Sequence, residues 1–260
     1  MPELPDLTVF AENLAKAVVG KKIVGAQYHL AKPPNVSPEE LASALVSSTI
    51  KKVERVGKQV RFTTDKGDAV LVHLMLTGGF VLTTDKELGK IDSPVLTLRF
   101  SDGSALAVSD PKGWANVNLN PEPEAVPDAL SVSAEYLKSK FHKKPKTLIK
   151  PFLLDQKLIG GIGNAYSDEI LWRARISPKS MVGKLPPEAV DALLEAIPAV
   201  LNEATDYLRK HHPDMIAGEF REFLKVHHPS LKQSPTGSRI IKEQIASKKT
   251  YYTEEQKLYS

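Results

Sequence analysis

Hydrophobic positions along this chain change their period three times. Between residues 5 and 19, Leu7, Phe10, Leu14 and Val18 recur at spacings of three and four, and Gly20 follows. That pattern predicts an amphipathic helix ended by glycine. From Lys22 onward the period falls toward two. Runs at 22–30, 50–56, 59–64, 69–74, 79–84, 95–100 and 105–109 are β-branched or alternating, and turn signals such as Asp65-Lys66-Gly67-Asp68 and Ser101-Asp102-Gly103-Ser104 separate several of them. Residues 37–47 predict a short helix. Many short strands at close spacing predict an antiparallel sandwich or barrel. The stretch 120–128 is acidic and rich in proline, and marks a linker. Beyond it the helical period returns. Two short helical patterns flank Gly160-Gly161-Ile162-Gly163-Asn164, and a longer one covers 186–211, with a kink expected at Pro198. Residues 220–226 are expected to close this helical part. The tail turns strand-like again at 239–245 and 250–252, which predicts a β-hairpin with Ser247-Lys248-Lys249 at its turn.

Composition narrows the picture. A length of 260 residues, 42% hydrophobic and 25% charged, suits a globular chain of two domains. No run of eighteen apolar residues exists, so no membrane span is expected. The start lacks a basic region followed by an apolar stretch, so no secretory signal is expected. The chain has no cysteine, which excludes disulfides and thiolate metal sites and fits a cytoplasmic setting. The histidine pairs 211–212 and 227–228 offer no convincing ligand set, so no zinc is expected; they are expected on the surface or near phosphate. A net charge of +4 only weakly suggests a polyanionic partner. Its distribution is more informative. Residues 136–150 hold six lysines (138, 140, 143, 144, 146 and 150) and no acid. Alone, such a run is a solvated face. Here it leads into the glycine-rich turn, where glycines permit close backbone approach and a helix beginning near Asn164 would offer amides to phosphate.

The candidate chemistry lies at the start, Met1-Pro2-Glu3-Leu4-Pro5-Asp6. Removal of Met1 would leave a secondary amine on Pro2. An α-amine titrates at roughly 7.7–8.0, so part of it is unprotonated near neutral pH and can attack an aldehyde-like carbon. Glu3 places a carboxyl group beside it for proton transfer. The bland alternative is that Pro2 and Pro5 only set a helix start.

These motifs, in order, resemble the formamidopyrimidine-DNA glycosylase family, which includes the endonuclease VIII-like enzymes. The resemblance rests on the Pro-Glu-Leu-Pro start, Gly57-Lys58, His73-Leu74, Asp110-Pro111, Leu154-Asp155-Gln156 and the stretch 161–171. It implies an α+β fold. An N-terminal antiparallel β-sandwich with flanking helices (1–120) would lead through a linker (121–134) to a helix–two-turn–helix DNA-binding domain (135–225) and a β-hairpin finger (226–260). It implies a DNA glycosylase with strand-cutting lyase activity on oxidised bases, acting on damaged double-stranded DNA through a flipped nucleotide. Pro2 would attack C1′, Glu3 would assist ring opening, and β,δ-elimination would follow, with no cofactor. Lys58 would hold a phosphate, and Asp6 stands where the family has glutamate. Asn164, with Gly161 and Gly163 beside it, would contact the DNA backbone. Leu76 stands at the family's wedge methionine, and Lys112 and Trp114 replace its usual arginine and phenylalanine pattern. The finger departs furthest. Gln233 and Thr236, then Thr253 and Glu255, stand where four cysteines hold zinc, so a zinc-less finger is implied. Packing by Ile240, Ile241, Ile245, Tyr251 and Tyr252 would replace the metal. Lys248 aligns with the finger arginine, and Lys249 could share its role. A monomer is expected. The alternatives are a damaged-DNA-binding homologue of the same fold without catalysis, and an RNA-associated module.

Overall fold

A computed structural model describes residues 1–31, 34–122 and 125–260. Two residues of the expected linker, Pro123 and Glu124, lie outside the described residues. The chain divides into two compact units, Met1–Glu124 with Leu208–Glu219, and Ala125–Tyr207 with Phe220–Ser260. The fold is α+β. No helix among the described residues is long and apolar enough to cross a membrane.

The first unit begins with helix α1 (Leu4–Val18), which starts in a reciprocal cap. Asp6 Oδ2 accepts the Glu3 N–H at 2.8 Å, and the Glu3 carboxylate accepts the Asp6 N–H. Such caps contribute about 1 kcal/mol. Gly20 takes φ +83° after the last turn, a conformation glycine adopts without steric cost. Leu7, Phe10, Leu14 and Val18, the predicted apolar face, are buried.

Strands β1 (Ile23–Tyr28), β2 (Ile50–Val56), β3 (Gln59–Thr64), β4 (Ala69–His73), β5 (Gly79–Thr84), β6 (Pro94–Phe100), β7 (Ser104–Ser109) and β8 (Asn116–Leu119) follow, with helix α2 (Pro38–Leu45) after β1. They form two four-stranded antiparallel sheets, ordered β1-β6-β7-β5 and β2-β3-β4-β8. Ile50, Phe62, Val70 and Val72 of one sheet line the same interior space as Leu96, Leu98, Leu106 and Val108 of the other. This is the expected sandwich core, and Phe62 meets Phe80 edge-on with centroids 5.8 Å apart. β8 has only four residues, two of them Asn, and its pattern was too short to register as a strand. The segment returning from the second unit completes the first. Arg209 pairs with Glu12 at 2.6 Å, Asn13 donates to the Met215 carbonyl at 3.0 Å, and Phe80 N–H donates to the Ile216 carbonyl at 3.4 Å.

The second unit holds helices α3 (Ala134–Lys143), α4 (Ile149–Leu154), α5 (Asn164–Arg173) and α6 (Pro187–His211), whose last turn from Leu208 groups with the first unit. α6 continues through Pro198. The lysine run is partly helical: α3 is capped by Ser133 and buries Leu137 and Phe141. Residues 220–226, expected to close the helical part, are irregular. β9 (Ile240–Ile245) and β10 (Lys248–Thr253) form the hairpin. Its turn is Ala246-Ser247, both at positive φ (47° and 64°), so Lys248 and Lys249 belong to β10 and not to the turn. Ile240 and Tyr251 pack with Trp172 and Val226, while Ile241 and Tyr252 are only partly buried.

Candidate active site

In the first unit the cap of α1 fixes Glu3. Pro2 is buried, Glu3 is 5% exposed and Asp6 is fully buried. Asp6 thus stands behind Glu3 as the acceptor of its backbone amide. The N-terminal ammonium of Met1 pairs with Glu219. Gly57-Lys58 is the two-residue connection of the β2–β3 hairpin, with Gly57 at φ +56°. Glycine as the first residue of such a turn matches strand twist at no steric cost.

His73 ends β4 close to this turn. Burial first, and the neighbouring Lys58 cation second, hold its imidazole below the ordinary value of 6.5. His73 Nδ1 accepts the Met75 N–H at 3.0 Å, so in the neutral ring the proton sits on Nε2.

Two loops carry exposed apolar side chains. Leu76 is 51% exposed and Trp114 is 49% exposed. Both loops are organised by buried Asp110. It accepts the Thr77 hydroxyl, the Lys112 N–H at 3.1 Å, the Trp114 N–H at 2.6 Å and the Ala115 N–H at 2.7 Å. Burial raises the Asp110 carboxyl, but these donors outweigh it and the group lies below its ordinary value. Lys112 is exposed, with its ammonium 5.6 Å from the Trp114 ring.

In the second unit Gln156 secures the glycine turn. Its amide nitrogen donates to the Leu154 and Ile162 carbonyls at 2.9 and 2.8 Å, and its oxygen accepts the Gly161 N–H at 3.0 Å. Gly161 has φ +109°, whereas Gly163 caps α5 at φ −120°, a value open to other residues. Asn164 is the first residue of α5 and donates to the Lys249 carbonyl at 2.9 Å, which links the turn to the hairpin.

Buried charge strengthens that link. Lys150, the last lysine of the run expected to favour phosphate contact at the glycine turn, is fully buried. It pairs with Asp168 at 2.6 Å and donates to the Lys249 carbonyl at 3.3 Å. Asp168 also accepts the Tyr251 N–H at 2.9 Å and meets His227 Nδ1 at 2.6 Å. His227, expected on the surface or near phosphate, is therefore a member of an internal network. Its 59-residue separation from Asp168 hides the pair from any local pattern. Glu169 accepts the backbone N–H groups of Lys225, Val226 and His227 at 2.9, 2.8 and 2.7 Å. Lys248 and Lys249 are exposed.

The base of the hairpin is polar where the sequence lacks cysteine. Thr236 Oγ1 donates to Glu255 Oε2 at 2.7 Å, Thr253 Oγ1 donates to it at 3.2 Å, and Ser234 and Thr236 hydroxyls meet at 2.7 Å. Arg175 pairs with Glu255 at 3.0 Å. Gln233, aligned with the first cysteine, bridges instead to Arg239. Among the described residues no group of three or more His, Cys, Asp or Glu is placed to hold a metal ion.

Comparison with known proteins adds relatives to this geometry. Residues 1–117 match the formamidopyrimidine-DNA glycosylase N-terminal domain, and residues 119–212 match the formamidopyrimidine-DNA glycosylase H2TH domain. Proteins named formamidopyrimidine-DNA glycosylase from Pelotomaculum thermopropionicum and Enterococcus faecalis are 31% and 32% identical to this chain. The matches cover 97% of this chain in both cases, and 97% and 95% of the relatives. A solved complex of wild-type Lactococcus lactis Fpg with DNA containing N7-benzyl-Fapy-dG shares the fold at a TM-score of 0.84. It is 25% identical over 96% of this chain and 97% of that one. A solved complex of MutM with DNA containing carbocyclic 8-oxo-G reaches 0.85 at 25% identity, over 97% and 98% of the two chains.

Proposed function

We propose, from the premise that this chain belongs to the formamidopyrimidine-DNA glycosylase family, that it is a DNA glycosylase of base-excision repair with abasic-site lyase activity. The observation that carries this reading is the start of α1, where Pro2 is directly followed by Glu3 in a reciprocal cap with Asp6. The names of its relatives and the damaged DNA in the solved complexes support the same reading.

While Met1 is present the Pro2 nitrogen is an amide. Excision of Met1 frees a secondary amine. Its lone pair attacks C1′ of a damaged nucleotide, and the oxidised base leaves with the bonding electrons and takes up a proton. Glu3 protonates the ring oxygen as the sugar opens, leaving an iminium between Pro2 and C1′. The iminium acidifies the C2′ proton. Its removal expels the 3′ phosphate, a second elimination expels the 5′ phosphate, and water releases Pro2. Lys58 and the His73 Nε2–H supply cationic and neutral donors to a phosphate beside the lesion. Leu76 and Trp114 fill the space left by the flipped nucleotide, with Lys112 facing the orphaned base. Asn164 and the Gly161–Gly163 turn, with Lys248 and Lys249 on the hairpin, hold the DNA backbone. In this proposal residues 1–120 form the catalytic domain, 135–225 the DNA-binding domain and 226–260 the finger, with 121–134 as linker. The enzyme works as a cytoplasmic monomer without metal or organic cofactor.

The test is borohydride trapping on duplex DNA carrying an abasic site, after intact-mass analysis has verified a free Pro2. The processed protein should form a covalent complex that maps to Pro2. Pro2→Gly should cut the trapping rate strongly, and Glu3→Gln should block base release more than abasic-site cleavage. Good binding with no trapped complex would sink the lyase assignment and favour a damaged-DNA-binding protein without catalysis.

A further inference from the structure

Arg55 is the penultimate residue of β2 and has no part in the chemistry above. Its half-buried side chain reaches in two directions. Nε donates to Thr8 Oγ1 at 3.0 Å, and Nη1 donates to the Gly57 carbonyl at 3.1 Å. The Thr8 hydroxyl passes the link on by donating to the Leu4 carbonyl at 2.8 Å. Leu4 is the first residue of α1, directly after Glu3. The Gly57 carbonyl belongs to the peptide that leads into Lys58. One guanidinium therefore ties the peptide plane before Lys58 to the first turn of the helix that carries Glu3.

The residue type fits this task. A planar fork holds two acceptors at a fixed mutual angle, whereas an ammonium is a point charge on a flexible stem. The base of the fork is rigid, because Arg55 pairs with Val60 in the antiparallel ladder. Lys58 itself sits on the two-residue turn whose Gly57 carbonyl the fork holds. A displacement of about 1 Å in such a group can cost roughly 100-fold in rate.

We infer that Arg55 is a positioning residue that sets where the Lys58 ammonium stands relative to the Pro2–Glu3 terminus, without itself touching DNA. This inference rests on the reading given under Proposed function.

The test is a double-mutant cycle. Single-turnover trapping on abasic duplex is measured for Arg55→Lys and Thr8→Val, alone and combined with Lys58→Ala, with melting temperature alongside. Arg55→Lys keeps the charge and removes the fork. It should slow trapping roughly 10-fold or more at a near wild-type melting temperature. In the Lys58→Ala background it should add less than about 2-fold, because the group it positions is gone. Thr8→Val should act in the same direction by a smaller factor, and it decides the matter by the same criterion if Arg55→Lys fails to fold. Full-rate trapping by Arg55→Lys, or equal losses in both backgrounds, would overturn the inference. The salt dependence of binding supplies a readout free of chemistry. Lys58→Ala and Arg55→Lys should each flatten its slope by about one, and the pair no further. A wild type that binds without trapping would therefore sink the lyase reading alone, and the salt cycle would still decide Arg55.

Discussion

Glu3 combines a structural duty with the chemical one proposed for it. As N-cap its backbone amide is held by Asp6 and its carboxylate accepts the Asp6 amide, so the group proposed for proton transfer is already oriented by the helix start. His73 is a second case, and its titration can be read in stability. Burial and the Lys58 charge depress its folded-state value below 6.5, so between those values the unfolded chain binds more protons than the folded one. Its contribution to stability is complete above pH 6.5 and is lost as pH falls through that window. His29, also lowered by burial, acts in the same sense. These two histidines should therefore contribute a rise in the urea midpoint from about pH 5 to 7 that then levels off, while the Glu169 carboxyl, raised by burial, works in the opposite sense. His73→Asn should make that rise shallower while leaving the His29 part. An unchanged slope would contradict the assignment.

Among the elements, the hairpin differs most from its expectation. Apolar packing was expected to replace zinc, and Ile240 and Tyr251 supply part of it. The remainder is a hydroxyl and carboxylate cluster around Glu255, with Arg175 as its cation. The turn is the weak point. Ala246 and Ser247 both occupy the left-handed region, where a Cβ is crowded and Asn-Gly is the favoured pair. Ala246→Asn with Ser247→Gly should stabilise the hairpin by roughly 1 kcal/mol, seen as slower hydrogen exchange at the β9 and β10 amides. Faster exchange would argue against this turn. The same hairpin shows where sequence reading fails locally. The alternating run was legible, but its tip was placed to begin one residue late, because Ala-Ser carries no turn signal. α1 and the strands β2, β3 and β5 were legible to the residue or nearly so: α1 and β3 bury one face with the correct period, whereas β2 and β5 are short runs rich in β-branched residues.

At the scale of the molecule, the two compact units are interleaved along the chain. Residues 208–219 return to the first unit and supply the Met215 and Ile216 carbonyls and the Arg209–Glu12 pair. A fragment of residues 1–124 should therefore melt below the first transition of the intact chain, and fusion of 208–219 through a flexible linker should recover part of the loss. Equal melting would show that the returning segment adds nothing to the unit. Sequence by itself determined the α+β order, the sandwich, the glycine turn and the Pro2–Glu3 start, since period, turn residues and adjacent residue types are local properties of the chain. Only the tertiary structure decided that Lys150 is buried and His227 internal, that Asp110 organises two loops, and that Arg55 spans α1 and the Lys58 turn. Each of these depends on partners distant in sequence. Whether a charge or hydrogen-bonding group faces water or a buried acceptor is set by the packing around it, which no local pattern of residues encodes.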